Sequence, residues 1–221
     1  MKQLKNYITP IHKSAKRNYL DRMQNEKSKC MKIAKKYDFD YWDGGRNTGY
    51  GGYKYIEGYW KEMAKKLIKD YNLSDGSKIL DVGCGKSFLL HEMKILNPKL
   101  NIFGFDISEY ALKNATDIMK PFVYKQKAQE PFKYKDKEID LVLSINTLHN
   151  LKLYDLKKAI SEINRVSKQA YTVVESYRNE EELFNLQCWA LTCESFFSVD
   201  EWQWIYDEFD YKGDYEFIFF E

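Results

Sequence analysis

Hydrophobic positions change their rhythm along this chain. From about residue 60 onward, short apolar runs alternate with stretches of helical spacing. Trp60, Met63, Ala64, Leu67, Ile68 and Tyr71 recur every three or four residues and predict one amphipathic helix. Ser-Asp-Gly at 74–76 punctuates it, and Lys78–Val82 reads as a short buried strand. The pattern then predicts a helix over 87–96 stopped before Pro98, a strand over 101–106, and a helix capped by Ser108 and ending at Pro121. A short strand at 122–124 and a stronger one at 139–144 follow, then a helix marked by Leu153, Leu156, Ile160 and Ile163. A strand at 170–176, a helix near 199–209 and a last strand at 215–220 complete the series. Strand–helix alternation with continuous apolar strands predicts an α/β fold, a doubly wound and mostly parallel sheet covered on both faces. Such sheets bind ligands beyond the carboxyl ends of their strands, where the strand order reverses. The loops after Val82, Asp106, Ser144 and Ser176 are therefore the places to search.

The first 58 residues have another texture. A basic, helix-compatible stretch at 13–36 gives way to YDFDYWDGGRNTGYGGYKYIEGYW at 37–60, with six tyrosines, two tryptophans and six glycines. That run fits neither helical spacing nor strand alternation, and reads as an ordered loop whose aromatics pack on something flat. We divide the chain into an N-terminal helical and aromatic–glycine cap at 1–58 and a main domain at 59–221, which carries an insertion at 178–198.

Composition narrows the class. The 221 residues, 44% apolar and 31% charged, can bury a sizeable core, and no run is long and apolar enough for a membrane helix. The start, MKQLKNYITP, has basic residues but no apolar stretch behind them, which argues against a secretory leader. Cys30, Cys84, Cys188 and Cys193 form no CxxC pair, so neither a disulfide scaffold nor a structural zinc is expected, nor any bound metal; a cytoplasmic protein is. Net charge is only +2, yet residues 1–36 hold eleven Lys or Arg against two acids, and residues 175–221 hold thirteen acids against two bases. Either the basic end steers an anionic partner, or the two ends offset each other.

The chemistry concentrates in KILDVGCGKSFLL at 78–90. An apolar strand ends at Asp81, and Gly83 and Gly85 make a turn in which a ligand can lie against backbone amides. Asp106 ends the next strand, in GFDIS, where an acid can accept both hydroxyls of a ribose. A dinucleotide fold would place glycine at 88, where Phe88 stands. The order Asp-x-Gly-x-Gly, then the acid of GFDIS, then IDLVLSINTLHNL, resembles class I S-adenosylmethionine-dependent methyltransferases over about residues 60–177. The resemblance implies a Rossmann-like fold, S-adenosylmethionine as cofactor and S-adenosylhomocysteine as product. It implies that Asp81, Gly83, Cys84 and Gly85 form the loop around the methionine part, that Asp106 takes the ribose and that Ile107 flanks the adenine. Where the family often has a third glycine stands Ser87, small enough to cap the helix. In YKQKAQEPF, Gln126, Ala128 and Gln129 are the candidates for the adenine amine, with Gln129 favoured.

The fourth family motif falls on SINTLHNL, which puts Ser144 at the cofactor and Asn146 and His149 toward the reaction, His149 as a base. Cap and insertion are expected to shape the acceptor pocket, with Tyr50, Tyr53 and Tyr55 around the sulfonium or acceptor and Arg46 and Arg178 for an acceptor's anionic group. No Asn/Asp-Pro-Pro-aromatic motif stands after the fourth strand, which disfavours nucleic acid and favours a small-molecule acceptor. The aromatic N-terminus looks similar to bacterial methyltransferases of surface-polysaccharide biosynthesis, so a sugar or phosphorylated precursor is the expected class. The alternatives are an RNA or protein methyltransferase recruited by the basic N-terminus, and a non-catalytic cofactor-binding partner subunit. A single strand after residue 177, where the family has a hairpin, would leave an edge open to a homodimer.

Overall fold

A computed structural model describes residues 2–15 and 17–221. Six strands form one sheet in the order β3-β2-β1-β4-β5-β6, every neighbouring pair parallel. The strands are β1 (Lys78–Val82), β2 (Asn101–Asp106), β3 (Val123–Lys125), β4 (Ile139–Ile145), β5 (Ser167–Glu175) and β6 (Asp214–Ile218). Period-two alternation splits the core between the two faces. Ile79, Leu141 and Leu143 pack with α5 (Lys61–Asp70) and α6 (Phe88–Leu96) on one side. Leu80 and Val142 pack with α8 (Leu153–Val166) and α10 (Val199–Glu208) on the other. The chain leaves β1 toward β2 and β3, then returns to β4 on β1's other flank, so the order reverses between β1 and β4.

The basic stretch at 13–36 is broken rather than one helix. It forms α1 (Thr9–Lys13), α2 (Tyr19–Gln24) and α3 (Lys27–Ala34), with α4 (Phe39–Trp42) beyond; Lys16 lies outside the described residues. The breaks have local causes. Asn18 caps α2 by accepting from Asp21 N–H, and Glu26 takes a left-handed conformation at φ 44°. Ser108 does cap α7 (Glu109–Lys113), but that helix ends well before Pro121, where Asn114 turns its amide back onto the Tyr110 carbonyl. The insertion contains α9 (Glu180–Trp189), capped by Asn179.

The open sheet edge does not exist as expected. Lys5 N–H donates to the Tyr215 carbonyl at 2.8 Å and Tyr215 N–H to the Gln3 carbonyl at 3.1 Å, so the N-terminal strip covers β6. Buried Glu216 then accepts the N–H groups of Tyr7, Ile8 and Thr9 at 2.7, 3.1 and 2.7 Å. The physical reason for a partner chain at this edge falls away. The charge asymmetry resolves within the molecule too. Lys5 pairs with Asp214, Lys13 with Glu221, and Lys2 and Lys35 with Asp207 and Glu194. Among the described residues no helix is long and apolar enough to cross a membrane.

Candidate active site

At the carboxyl end of β1 the chain must bend without side chains in the way. Gly83 and Gly85 have φ of +79° and +54°. A Cβ on Gly83 would lie 2.0 Å from Thr147 Oγ1, and one on Gly85 2.7 Å from the Trp42 ring. Both glycines are thus required by conformation and by space. The Cys84 side chain does not enter the crevice; it fills the space that Gly104 of β2 leaves, and only its backbone belongs to the loop. Ser87 is itself left-handed at φ 60° and makes no cap to α6, contrary to the expectation from its size.

Two carboxylates follow from this bend. Asp106 receives Gly85 N–H on one oxygen and Ser108 N–H on the other, each at 2.8 Å. Only 7% exposed, it lines a crevice of about 420 Å³ together with Ile107 and Gln129. Burial raises its pKa, and the amides of Ser108, Gly85 and Ile107 oppose that rise. Asp81 has no such help. It is 5% exposed, its Oδ1 has no hydrogen-bond partner, and burial, seconded by the charge of Asp106, pushes its pKa up to about 8. An acid held this way is costly until a cation reaches it.

The aromatic run closes the crevice from the side of the cap. Tyr37, Tyr41, Trp42 and Tyr50 form its wall, with Trp42 stacked on Tyr50 at 11° between planes. Trp42 Nε1–H donates to Ser108 Oγ at 2.9 Å, tying the wall to the segment after Asp106. Lys86, 3% exposed, reaches Asp43 Oδ1 and Oδ2 at 2.8 and 2.7 Å and the Tyr53 carbonyl at 2.7 Å. The Tyr110 hydroxyl donates to the same carboxylate at 2.7 Å. A lysine next to the glycine bend therefore locks the cap onto that bend. Tyr53 and Tyr55 pack on Phe88 of α6, and the Tyr55 hydroxyl is spent on Glu92 at 2.7 Å, so of the three predicted tyrosines only Tyr50 lines the crevice.

The end of β4 supplies the other polar groups. Asn146 lines the crevice at φ 56°, a left-handed conformation that asparagine tolerates better than most residues, and its Oδ1 is buried without a partner. Asn150 Oδ1 is likewise unpartnered. Ser144 is fully buried and donates to the Val82 carbonyl at 3.1 Å; it ties β4 to β1 and does not line the crevice. His149 is 3% exposed, and both its ring nitrogens face Glu175: Nδ1 accepts Glu175 N–H at 3.2 Å, and Nε2 stands 3.5 Å from Oε2. Burial holds its pKa below the usual histidine range, with the Glu175 charge opposing, so the ring is neutral with its proton on Nε2. His91 of α6 is buried and bonded to Thr116 Oγ1 at 2.8 Å.

The two predicted arginines separate. Arg46 is exposed beside Tyr50, whose carbonyl it binds. Arg178 is taken up by Glu182 and Glu221 in a groove at the sheet edge, apart from the crevice. Trp42, Lys86, Thr147 and Glu175 were not singled out from the sequence. Glu175 could have been found as an acid ending a strand on the ligand side, and Lys86 as the lone cation in the glycine turn facing the acids at 38–43.

The family profile described as "Methyltransferase domain" matches residues 73–213, which holds both acids and the glycine bend. The chain belongs to that family. This methyltransferase is of the class I, S-adenosylmethionine-dependent kind. It is similar to the mitochondrial arginine-hydroxylase NDUFAF5 of Mus musculus, 30% identical over 133 residues, covering 59% of this chain and 38% of that protein. The chain thus spans well under half the length of the curated relative. Among solved structures, an S-adenosylmethionine-dependent methyltransferase from Archaeoglobus fulgidus matches 68% of each chain at TM-score 0.52 and 21% identity. The complex between the Haloferax volcanii Trm112 methyltransferase activator and a methyltransferase gives TM-score 0.52 at 19% identity, covering 69% of this chain and 72% of that one. These structural likenesses speak for the fold, and the family match for the cofactor.

Whether these residues suit the cofactor can be tested on the site itself. Asp81 offers an unpaired buried acid to the methionine ammonium, the bend at 83–85 leaves room where side chains would stand, and Asp106 is pinned with lone pairs left for sugar hydroxyls. The fit is good.

Proposed function

We propose that this methyltransferase modifies an oxygen or nitrogen atom of a small molecule inside the capped crevice, with a sugar or phosphorylated precursor of surface polysaccharide as the class to test first. The observation that carries this reading is the pair of unpartnered buried oxygens on Asn146 and Asn150, both in the crevice beneath an aromatic wall locked down by the Lys86–Asp43 pair. Buried acceptors without donors call for a ligand that brings N–H or O–H groups. Lysines of the basic N-terminus are engaged with acids of the same chain, which leaves less for recruiting RNA.

When bound, S-adenosylmethionine supplies an activated methyl group, so no residue has to create an electrophile. The protein's share is placement and exclusion of water. Asp81 binds the ammonium, Asp106 the ribose, and Gln129 and Ile107 border the adenine. Trp42 and Tyr50 shut out solvent, and two well-placed reactants gain roughly 7–11 kcal/mol in this way. Asn146 Oδ1 accepts a hydrogen bond from the acceptor and orients it. We assign the proton of a hydroxyl acceptor to the Glu175 carboxylate, with His149 as the residue that holds it, although neither side chain lines the crevice itself: a buried neutral imidazole whose Nδ1 already accepts Glu175 N–H and whose Nε2 faces Oε2 is better at fixing a partner than at receiving a proton.

The test is an acceptor panel. S-adenosylhomocysteine release should appear with small hydroxylated or amine compounds and not with RNA or protein. Turnover restricted to RNA or a polypeptide would replace this reading with the recruitment alternative, and binding without turnover on every acceptor would favour a non-catalytic subunit.

A further inference from the structure

Among the described residues, five buried side-chain polar atoms lack a hydrogen-bond partner. Four are oxygens, on Asp81, Ser87, Asn146 and Asn150. The fifth is a donor, Nε–H of Arg17, and it lies elsewhere. Arg17, Arg22 and Arg46 gather around Trp189 at the end of α9, their guanidinium carbons 5.6, 3.8 and 5.0 Å from the ring centroid.

Part of this cluster is structural. Arg22, 7% exposed, donates to the carbonyls of Trp189 at 3.2 Å and Gly49 at 2.8 Å, and to that of Arg46. Lys27 donates to the carbonyls of Gln187 and Cys188 at 2.6 and 2.5 Å. Both cap the negative end of α9 and staple the cap to the insertion. Arg17 and Arg46 are not used up. Arg17 spends its terminal nitrogens on His12 and the Ala15 carbonyl and keeps Nε, while exposed Arg46 spends one nitrogen on the Tyr50 carbonyl.

None of the three arginines forms an ion pair among the described residues. Glu175 is the carboxylate whose charge reaches Arg17, Arg22 and Lys27. Burial, followed by the nearby charge of Arg46, brings the pKa of Arg22 down to about 10. Two guanidinium groups and an ammonium share that one acid, and Arg46 adds a third guanidinium on Trp189, which leaves positive charge uncompensated, a condition an anionic ligand relieves. Tyr50 links the cluster to the crevice, since its carbonyl binds Arg46 and its ring forms part of the crevice wall.

Resting on the reading of a capped small-molecule methyltransferase, we propose that Arg17 and Arg46 form the seat for an oxyanion of the acceptor, a carboxylate or a phosphate, against Trp189. Guanidinium groups suit either, because their N–H forks match both planar and tetrahedral oxyanions.

The test titrates inorganic phosphate and malonate separately, against sodium chloride at matched ionic strength, following thermal stability of the wild type, Arg46→Gln and Arg17→Gln. Each variant should weaken the preferred anion by about tenfold or more, as expected for loss of a charge-assisted contact. Phosphate preference points to a phosphorylated acceptor and malonate preference to a carboxylate. A parallel titration with S-adenosylhomocysteine, expected unchanged in both variants, certifies folding and tests the cofactor reading separately. Wild-type protein stabilised no more by phosphate or malonate than by chloride overturns the seat, as does undiminished anion affinity in both variants. Failure of the wild type to bind S-adenosylhomocysteine would overturn the methyltransferase reading instead.

Discussion

Asp81→Asn should make the ligand-free protein more stable while it disables cofactor binding. In the folded chain this acid is held at a pKa of about 8 against an ordinary 3.8, by burial first and by Asp106 second. Between those two values the folded protein keeps a proton that the unfolded chain has released. The stability this group contributes is therefore complete below the unfolded pKa and is lost as pH rises through the folded one, at about 1.4 kcal/mol per pH unit. At pH 7 the loss is roughly 4 kcal/mol, a large share of the roughly 5–15 kcal/mol that stabilises a domain. Urea unfolding of wild type and Asp81→Asn between pH 5 and pH 8, without ligand, isolates the effect. The stability of the variant relative to wild type should climb by about 1.4 kcal/mol per unit across that window. Cofactor binding runs the other way, since an ammonium wants the ionised acid: wild-type affinity for S-adenosylhomocysteine should rise with pH toward about 8, the pKa of Asp81, and the variant should be weak and flat. A stability difference that stays constant from pH 5 to pH 8 would refute the reasoning.

Other perturbations test other links. Asp43→Ala leaves Lys86 charged and buried, which should cost about 3–5 kcal/mol; a loss under about 1 kcal/mol by thermal or urea unfolding would show that the lock is not desolvated. Gly83→Ala brings a methyl against Thr147 and should lower stability and abolish S-adenosylhomocysteine binding, read by calorimetry; normal affinity would disprove the steric account. Glu175→Gln should slow turnover on a hydroxyl acceptor by roughly 10²–10⁴. His149→Ala should do so less, with the pH profile preserved, and both should leave S-adenosylhomocysteine affinity intact; a larger loss in the histidine variant would restore His149 as the base.

The sheet was legible because its strands are continuous apolar runs between helices of clean period, and β1, β2 and α8 lie where the pattern put them. The bend at Gly83 and Gly85 and the placing of Asp81 and Asp106 at strand ends were legible because both are local requirements. The long N-terminal helix failed because periodicity cannot see Asn18 and Glu26 breaking it. Tyr53, Tyr55 and Ser144 misled for a shared reason: residue type and position bring a side chain near the site, but its direction depends on packing partners distant in the chain. The covered edge of β6 was hidden for the same reason, since residues 3–5 meet it from some 210 positions away.

In the proposed mechanism, Asp106 and the bend at Gly83–Gly85 hold S-adenosylmethionine. Calorimetric titration of S-adenosylhomocysteine into the wild type and into Asp106→Ala tests it most directly. The wild type should show one saturable site per chain, and the variant an affinity reduced by more than about tenfold, the loss expected when a buried carboxylate's hydrogen bonds are removed. No binding to the wild type, or equal affinity in both proteins, would contradict it.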